Sequence, residues 1–393
     1  MATASLYETT GISAQYGESR IIGGTYYTQG TLDREILSYA HTINSFGGFD
    51  TLRISIALTF DKIEEWISGG IGKHMEVRNS SGSIVWEGLV EKLTITAGAM
   101  SVTLGPLTEI ANRVLVAFTD IDNSVANVQG TADETLLAEH TTSQKLYGII
   151  EKILSGGTLG RNEANDVRDT YLQDNAFPRT SFSFNFSPGA GASPIINIEC
   201  VGYSRFLDLF SYNNVTANFY TGTEKITDVL AADPNSVVDS QRLDTNAIGA
   251  FEYDNNNRTG LTVIKEVVNT GDGSGNRWLF YMDEGRTAYY KAVPEEIYYL
   301  YRLRSGNNKI TTYNGTTVAP WDVRPGRWIA VTDLLSISAR YSRFHTIEDL
   351  LADQSVSFIE SISFTAPYSV SLTGSRIERT TQILAQYGLK AIE

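Results

Sequence analysis

The chain has 393 residues, more than a single hydrophobic core usually serves, so about two to four domains are expected. Its formal charge of -14 argues against a reader of duplex DNA, because such a protein needs a basic face. A single cysteine excludes internal disulfides and a cysteine-based zinc cluster. The sequence shows no secretory signal and no long apolar run, so synthesis in a cytoplasm without stable membrane insertion is expected.

Residues 1–119 are predicted to form a compact β-barrel or curled sheet with one small helix. In "TLRISIAL", residues 51–58, apolar and polar residues alternate, which is typical of a strand with one buried face. The stretch "DKIEEWISGG" is predicted as a short helix that begins near Asp61 and ends at a glycine pair. A hairpin with its turn at 79–82 follows, and "AMSVTLGP" and "RVLVAFTD" supply further strands.

Residues 120–194 are predicted to be a helical insert and a linker. The apolar residues of its first helix share one face, and they are Leu146, Ile149, Ile150 and Ile153. A second helix is predicted to end before Pro178. The small residues of "SPGAGASP", 187–194, are typical of a linker and mark the predicted domain boundary.

Residues 195–319 are predicted to form a mixed α+β domain, and 320–393 a β-rich segment. "PIINIECVGY" and "NFYTG" are predicted as strands, and "TEKITDVLAAD" as a helix with Thr223 as its N-cap. "TGLTVIKEVVNTGDG" is predicted to be helical. The stretch "SRIERTTQILAQYGLK" closes the chain as a helix or a long strand. The fold class is therefore predicted to be mainly β with α+β parts.

The stretch "GDGSGN", residues 271–276, has the composition of a phosphate or metal loop. A Walker A loop needs a lysine that this stretch lacks, and a Rossmann loop precedes its helix, whereas this one follows a helix. The C-terminal end of a helix also presents the wrong dipole to an anion. The stretch is therefore predicted to end the helix, with Gly271 in a left-handed conformation.

Aromatic residues after this loop could form a stacking platform for sugar or single-stranded nucleic acid. They are Trp278, Phe280, Tyr289, Tyr290, Tyr298, Tyr299 and Tyr301. Ordinary packing within strands is the favoured interpretation. Two nearby stretches, 298–306 and 337–345, are rich in Arg and Tyr, which is typical of protein interfaces.

The sequence contains no recognisable catalytic constellation. The adjacent glutamates at 64–65 and 295–296 point in different directions, so neither pair is a dyad. Cys200 lies in an apolar strand that is typical of a buried thiol. "YDNNNRTG", 253–260, could ligate calcium but is more typical of a polar loop in which Thr259 or Asn257 caps the next helix. The histidines lack paired metal-ligand spacing, and they are His41, His74, His140 and His345. The prediction is no catalytic, cofactor-binding or metal-ligating residues.

Three segments share an order and spacing with one known group of proteins. The first, residues 83–114, contains W-E-G, L-G-P-L and A-N-R-V, and the second is "IECVGYSRFLDLF", residues 198–210. The third runs from "TGLTVIKEVV" at residue 259 to "VRPGRWIAVTDLL" at residue 335. In this combination the chain resembles the baseplate and tail-hub proteins of tailed bacteriophages, although residues 120–194 have no counterpart.

The resemblance implies a structural virion protein without catalytic residues, located in the phage tail or baseplate. Such proteins are generally trimers whose tube-like β-barrel domains form a pseudo-sixfold ring between the tail tube and the tip. Residues 1–119 would then be the N-terminal hub domain, and 320–393 would complete a second barrel.

The resemblance also implies partners. They are further copies of the chain, tail-tube and distal-tail proteins, tip, spike or fibre proteins, and the genome DNA, which passes without specific binding. An acidic wall would repel that DNA. A distal-tail ring protein, a carbohydrate-binding adsorption protein and a peptidoglycan hydrolase are the alternatives.

Overall fold

The computed structural model shows a mainly β protein with few helices, which confirms the predicted fold class. It describes residues 10–18, 28–32, 35–121, 131–184, 194–214, 221–249, 254–274, 276–302, 309–331, 344, 346, 350, 355–366 and 369–375. Most of the described strands belong to one extended sheet of 18 strands.

Strands and helices are numbered in chain order. The strands are β1 (Ser13–Gly17), β2 (Thr28–Leu32), β3 (Ile36–Asn44), β4 (Gly47–Ala57), β5 (His74–Arg78), β6 (Ile84–Ala97), β7 (Met100–Leu104), β8 (Arg113–Asp120), β9 (Thr131–Glu134), β10 (Ala138–Glu139), β11 (Glu151–Leu159), β12 (Thr180–Phe184), β13 (Ile195–Gly202), β14 (Ser211–Asn214), β15 (Ser240–Leu243), β16 (Asp254–Thr259), β17 (Trp278–Asp283), β18 (Thr287–Ala292), β19 (Ile297–Arg302), β20 (Lys309–Thr312), β21 (Thr317–Val318), β22 (Trp328–Val331), β23 (Val356–Thr365) and β24 (Ser369–Ser375). The α-helices are α1 (Phe60–Gly69), α2 (Thr141–Tyr147), α3 (Arg161–Asn175), α4 (Gly222–Ala232) and α5 (Gly260–Thr270).

One part of this extended sheet, called the first sheet, runs in the order β2–β1–β5–β6–β13–β4–β3 around one hydrophobic core, and a further part is called the second sheet. The predicted alternation in 51–58 is confirmed, because Leu52, Ile54 and Ile56 are buried in that core. β6 has 14 residues, which is long enough to pair with β5 and β7 along one edge and with β13 along the other. β13 therefore belongs to this sheet although its residues follow the predicted linker.

Helix α1 lies against the first sheet, as the sequence predicts. Its side chains Ile63 and Trp66 are buried in the core of that sheet, and the ring of Tyr16 lies 4.9 Å from that of Trp66. Burial of each such apolar side chain stabilises the fold by about 1.5–3 kcal/mol. These contacts fix the helix and leave its other side facing outward.

The second sheet runs in the order β21–β20–β19–β22–β23–β24 and curls around a groove of about 670 Å3. Apolar residues from five of these strands contribute to the groove: Ile310, Val318, Ile329, Ile359, Val370 and Leu372. β23 also pairs antiparallel with β3, so the second sheet continues directly from the first. The second sheet begins at Ile297, inside the predicted 195–319 domain, and the predicted domain boundaries stay a prediction.

The segment predicted as a helical insert contains both helices and strands. The prediction of one helix through Leu146 and Ile153 is wrong, because α2 ends at Tyr147 and β11 then pairs parallel with β8. Gly148, with φ of 78° and ψ of 177°, ends the helix, and Ile153 lies beside Leu115 in the ladder. The predicted second helix corresponds to α3.

The mixed unit comprises β14 to β18 with α4 and α5, and its hydrophobic core also takes in Leu89, Leu107 and Ile150 from elsewhere in the chain. Helix α5 begins and ends close to the predicted positions. The N-cap of α4 is Thr221, so the prediction of Thr223 is wrong. The Thr221 hydroxyl accepts the N–H of Glu224 (3.3 Å), whose carboxylate accepts the N–H of Thr221 (2.9 Å), and this reciprocal pair begins the helix.

Several predictions lie outside the described residues. These are the linker at 187–193, the strand in "NFYTG" before Thr221, most of 337–345, and the closing element after Ser375. Within the described residues, every helix is too short or too polar to cross a membrane.

Candidate interaction surface

The glycine-rich loop ends α5, as the sequence predicts. Gly271 is the C-cap residue, and its N–H donates to the carbonyl oxygen of Val268 (3.2 Å). Its φ of 72° is positive as expected, but its ψ of -142° lies outside the left-handed helical region. The glycine is still required, because few other residues adopt a positive φ without strain.

The Asp272 carboxylate organises the rest of this loop. It accepts hydrogen bonds from the N–H groups of Ser274 (2.8 Å) and Asn276 (2.9 Å) and from the Trp278 indole (3.3 Å). Burial alone would raise the pKa of Asp272, but these hydrogen bonds lower it below its ordinary value. The two backbone donors are thus engaged by a carboxylate of the chain itself, which leaves them unavailable to a phosphate.

Replacement of Gly271 by valine is expected to destabilise the protein by about 1 kcal/mol or more, because a β-branched side chain is strained at positive φ. The midpoint of thermal unfolding, compared with that of the wild type, measures the effect. An unchanged midpoint would show that the cap does not need this conformation.

The hairpin after the loop divides its aromatic residues between two faces. β17 and β18 pair antiparallel, with Phe280 opposite Tyr290 and Tyr281 opposite Tyr289. Trp278, Phe280 and Tyr290 are buried in the core of the mixed unit. The favoured interpretation, packing within strands, therefore holds for these three residues and for Tyr299, which is also buried, and none of the four can form a stacking platform. Alternation along the strands explains the division.

A cluster of cations and tyrosine rings lies on the other face of the hairpin, and we call it the cation–tyrosine face. Its members are Arg242, Tyr281, Tyr289, Lys291 and Arg327. The Tyr281 and Tyr289 rings stack, with centroids 4.9 Å apart and planes 9° apart. Lys291 Nζ lies 5.3 and 5.9 Å from these two centroids, and Arg242 Cζ lies 5.7 Å from that of Tyr289. Each such contact contributes about 0.5–1 kcal/mol at an exposed site.

Arg327 extends this face towards the second sheet. Its guanidinium lies 3.8 Å from the centroid of the half-buried Tyr298 ring. Burial and the charge of Arg327 lower the pKa of the Lys291 ammonium, and the charges of Asp244 and Asp283 only partly oppose this. Burial and Asp283 raise the pKa of Tyr281 to about 12, so its hydroxyl stays protonated and can donate a hydrogen bond.

A buried polar cluster on β5 was not predicted from the sequence. His74 and Glu76 are almost fully buried, and His74 lies 2.5 Å from the Tyr203 hydroxyl and 3.1 Å from the Glu76 carboxylate. Arg78 donates to the same carboxylate (2.6 Å). The spacing of His74, Glu76 and Arg78 is the sequence signal that could have revealed this cluster, because residues two apart in a strand share a face.

The remaining sequence candidates are placed as follows. Cys200 is buried, and burial raises the pKa of its thiol well above its ordinary value. "YDNNNRTG" contains β16, so its interpretation as a loop is wrong, but Thr259 caps α5 as predicted. Glu64 and Glu65 are exposed on α1. In the part of the chain that the structure describes, no group of three or more His, Cys, Asp or Glu could hold a metal ion.

No family model and no curated protein matches the chain. Among solved structures, it is similar to the 43 kDa tail protein of prophage MuSo2 from Shewanella oneidensis, with 8% identity and a TM-score of 0.41 over 94% of this chain and 97% of the other. It is also similar to the tail protein from Neisseria meningitidis MC58, with 9% identity and a TM-score of 0.40 over 90% and 92% of the two chains. A third is prophage tail protein gp18 from Listeria monocytogenes EGD-e, with 7% identity and a TM-score of 0.36 over 96% and 99%. At such values the likeness assigns no role to this chain.

Proposed function

We propose that the chain is a structural protein of a bacteriophage tail, forming the baseplate or tail-tip hub ring that joins the tail tube to the tip around the DNA exit path. The observation that supports this best is the joining of two sheets in one chain, where β3 of the first sheet pairs antiparallel with β23 of the second. A copy built in this way offers two barrel-like segments to one ring, and rings form when copies associate head to tail and the rotation closes.

The segments that carry the resemblance also meet in the fold. Residues 83–114 contain β6 and β7, and β13 from the second segment pairs directly with β6. In the third segment, β17 pairs in parallel with β4 of the first sheet. The three segments thus belong to one connected framework, as expected of a scaffold built to bind other proteins.

We also propose that this role is structural and not catalytic. Cys200 and His41 are buried, and burial together with Arg324 lowers the pKa of His41 to about 3. His74 is engaged in the polar cluster on β5. A nucleophile or base needs access to its substrate, and these groups lack it.

A carbohydrate-binding adsorption protein is the second candidate, because the half-buried Tyr281 and Tyr289 rings are the kind of surface on which sugars stack. A glycan array on the purified chain tests it, with Tyr289→Ala as the diagnostic variant. Specific binding that this variant loses would make the structural role an insufficient account.

We expect a homotrimer in the particle, with each copy contributing two barrel-like segments to one ring. Cryo-electron microscopy of the intact particle is the deciding measurement. Sixfold copies with one barrel each would identify a distal-tail ring protein. A location on the capsid, or no location in the virion, would contradict the proposal.

A further inference from the structure

The cations of the cation–tyrosine face lack carboxylate partners within the described residues. Arg242, Lys291 and Arg327 contact tyrosine rings, and none of them forms an ion pair within 4.0 Å there, although Asp244 and Asp283 are close enough to act on the charge of Lys291. Arg242 and Lys291 lie on the stacked tyrosine rings and Arg327 lies on the Tyr298 ring, and together they form a cationic surface that favours an external carboxylate.

Helix α1 offers a surface of the opposite charge. Phe60 is 66% exposed and Ile67 is 38% exposed, although Ile63 and Trp66 hold the helix firmly against its own sheet. Glu64 is exposed and, four residues from Phe60 and three from Ile67, shares their face of the helix. This acidic and apolar face, formed by Phe60, Asp61, Glu64 and Ile67, is called the α1 outer face.

The other long acidic helix, α3, is a poorer match. Its Arg161 and Arg168 already form ion pairs with Asp133 and Asp169, so cations and carboxylates are mixed along it. The single cation of α1 is Lys62. It lies two residues before Glu64 and therefore points about 160° away around the helix. The α1 outer face combines carboxylates with an exposed aromatic ring and has no cation on the same side.

We propose that the cation–tyrosine face of one copy receives the α1 outer face of the next copy. The carboxylates of Asp61 and Glu64 would lie among the three cations, and Phe60 would pack against the tyrosine rings. The two surfaces differ, so the contact is head to tail, and repetition of such a contact closes a ring. This inference rests on the proposed ring function and names the surfaces that form it.

Charge supports a second copy over nucleic acid as the occupant. The chain carries a net charge of -14, which disfavours the approach of a polyanion as a whole. A second copy carries the same excess of carboxylates, but concentrates some of them on one helix face. Local complementarity then selects the contact and its register.

A charge swap between two exposed residues tests the contact. Arg242→Glu and Glu64→Lys are each expected to raise the concentration of half-assembly of the full chain by about tenfold, measured by light scattering after gel filtration. The double variant restores opposite charges and is expected to recover most of the loss. Lys62→Glu, on the same helix but the opposite side, is the matched control and is expected to change assembly little.

The outcomes separate the inference from the proposed function. If assembly weakens in both single variants and the double variant does not recover it, or if it weakens in neither, the contact is wrong. The ring function would then still be tested by the structure of the particle. A chain that stays monomeric up to about 1 mM also overturns the contact. Binding of a single-stranded oligonucleotide that Arg242→Glu abolishes would assign the face to nucleic acid instead. If the particle is sixfold and the double variant still recovers the assembly that the single variants lose, the contact is retained and the trimer is rejected.

Discussion

Replacement of Gly48 by alanine is expected to lower the free energy of unfolding by about 3 kcal/mol or more. A Cβ atom at this position would lie 1.9 Å from the carbonyl oxygen of Met282, so the backbone would have to move. Gly48 also has a φ of 84°, which costs an L-residue about 1–2 kcal/mol. Because β4 pairs with β17 at this residue, the shift would loosen the junction between the first sheet and the mixed unit.

Gly82→Ala is the matched control for this effect. Gly82 has nearly the same φ, 82°, but a Cβ atom there would meet nothing within 4 Å. The expected cost is therefore the backbone strain alone, about 1–2 kcal/mol. Urea unfolding of the two variants and the wild type measures the difference. Equal losses in both variants would show that the junction at Met282 is not closely packed.

Glu76→Gln is expected to destabilise the protein at neutral pH by about 3 kcal/mol. The substitution removes the carboxylate that accepts hydrogen bonds from Arg78, leaving that guanidinium and the buried His74 without their anionic partner. The loss is large because Glu76 is only 1% exposed, so water does little to replace the partner. Chemical unfolding at pH 7 measures it, with the exposed Glu295→Gln as the control that should change little.

The same residue should make stability depend on acid. Burial opposes ionisation of Glu76, but His74 and Arg78 lower its pKa from 4.5 to about 2 in the folded protein. A lowered pKa means that the contribution is fully present above pH 4.5 and is lost as the pH falls towards 2. Unfolding measured between pH 5 and about 2 should therefore show a slope in the wild type that is shallower in Glu76→Gln. Identical slopes would contradict the assignment.

Local sequence patterns correctly predicted the elements whose formation depends on residues close together in the sequence. The alternation in 51–58, the glycine stop of α5 and the Thr259 cap all follow from residues within one or two turns. The error at Leu146 to Ile153 has a different cause, since the apolar spacing is that of a helix, whereas the residues from Glu151 onward form a parallel strand beside β8. Tertiary pairing decided between them.

The candidate surface was only partly predictable for the same reason. Tyr289 was among the predicted aromatics, but Arg242 reaches it only because β15 pairs in parallel with β18. Arg327 comes from the turn before β22 and meets Tyr298 of β19 through the parallel pairing of those strands. No sequence spacing encodes such contacts, because distant segments supply them.

The pairing of β3 with β23 has a consequence for synthesis. Asn44 of β3 lies opposite Ser361 of β23, so the ribosome must add the whole intervening chain before this edge can be closed. At common elongation rates the delay is about 15–60 s, during which the edge of β3 lacks its final neighbour. Contacts of such high sequence separation also form slowly once available. Completion of translation thereby becomes a requirement for the finished fold, because a truncated chain that lacks β23 cannot join the two sheets.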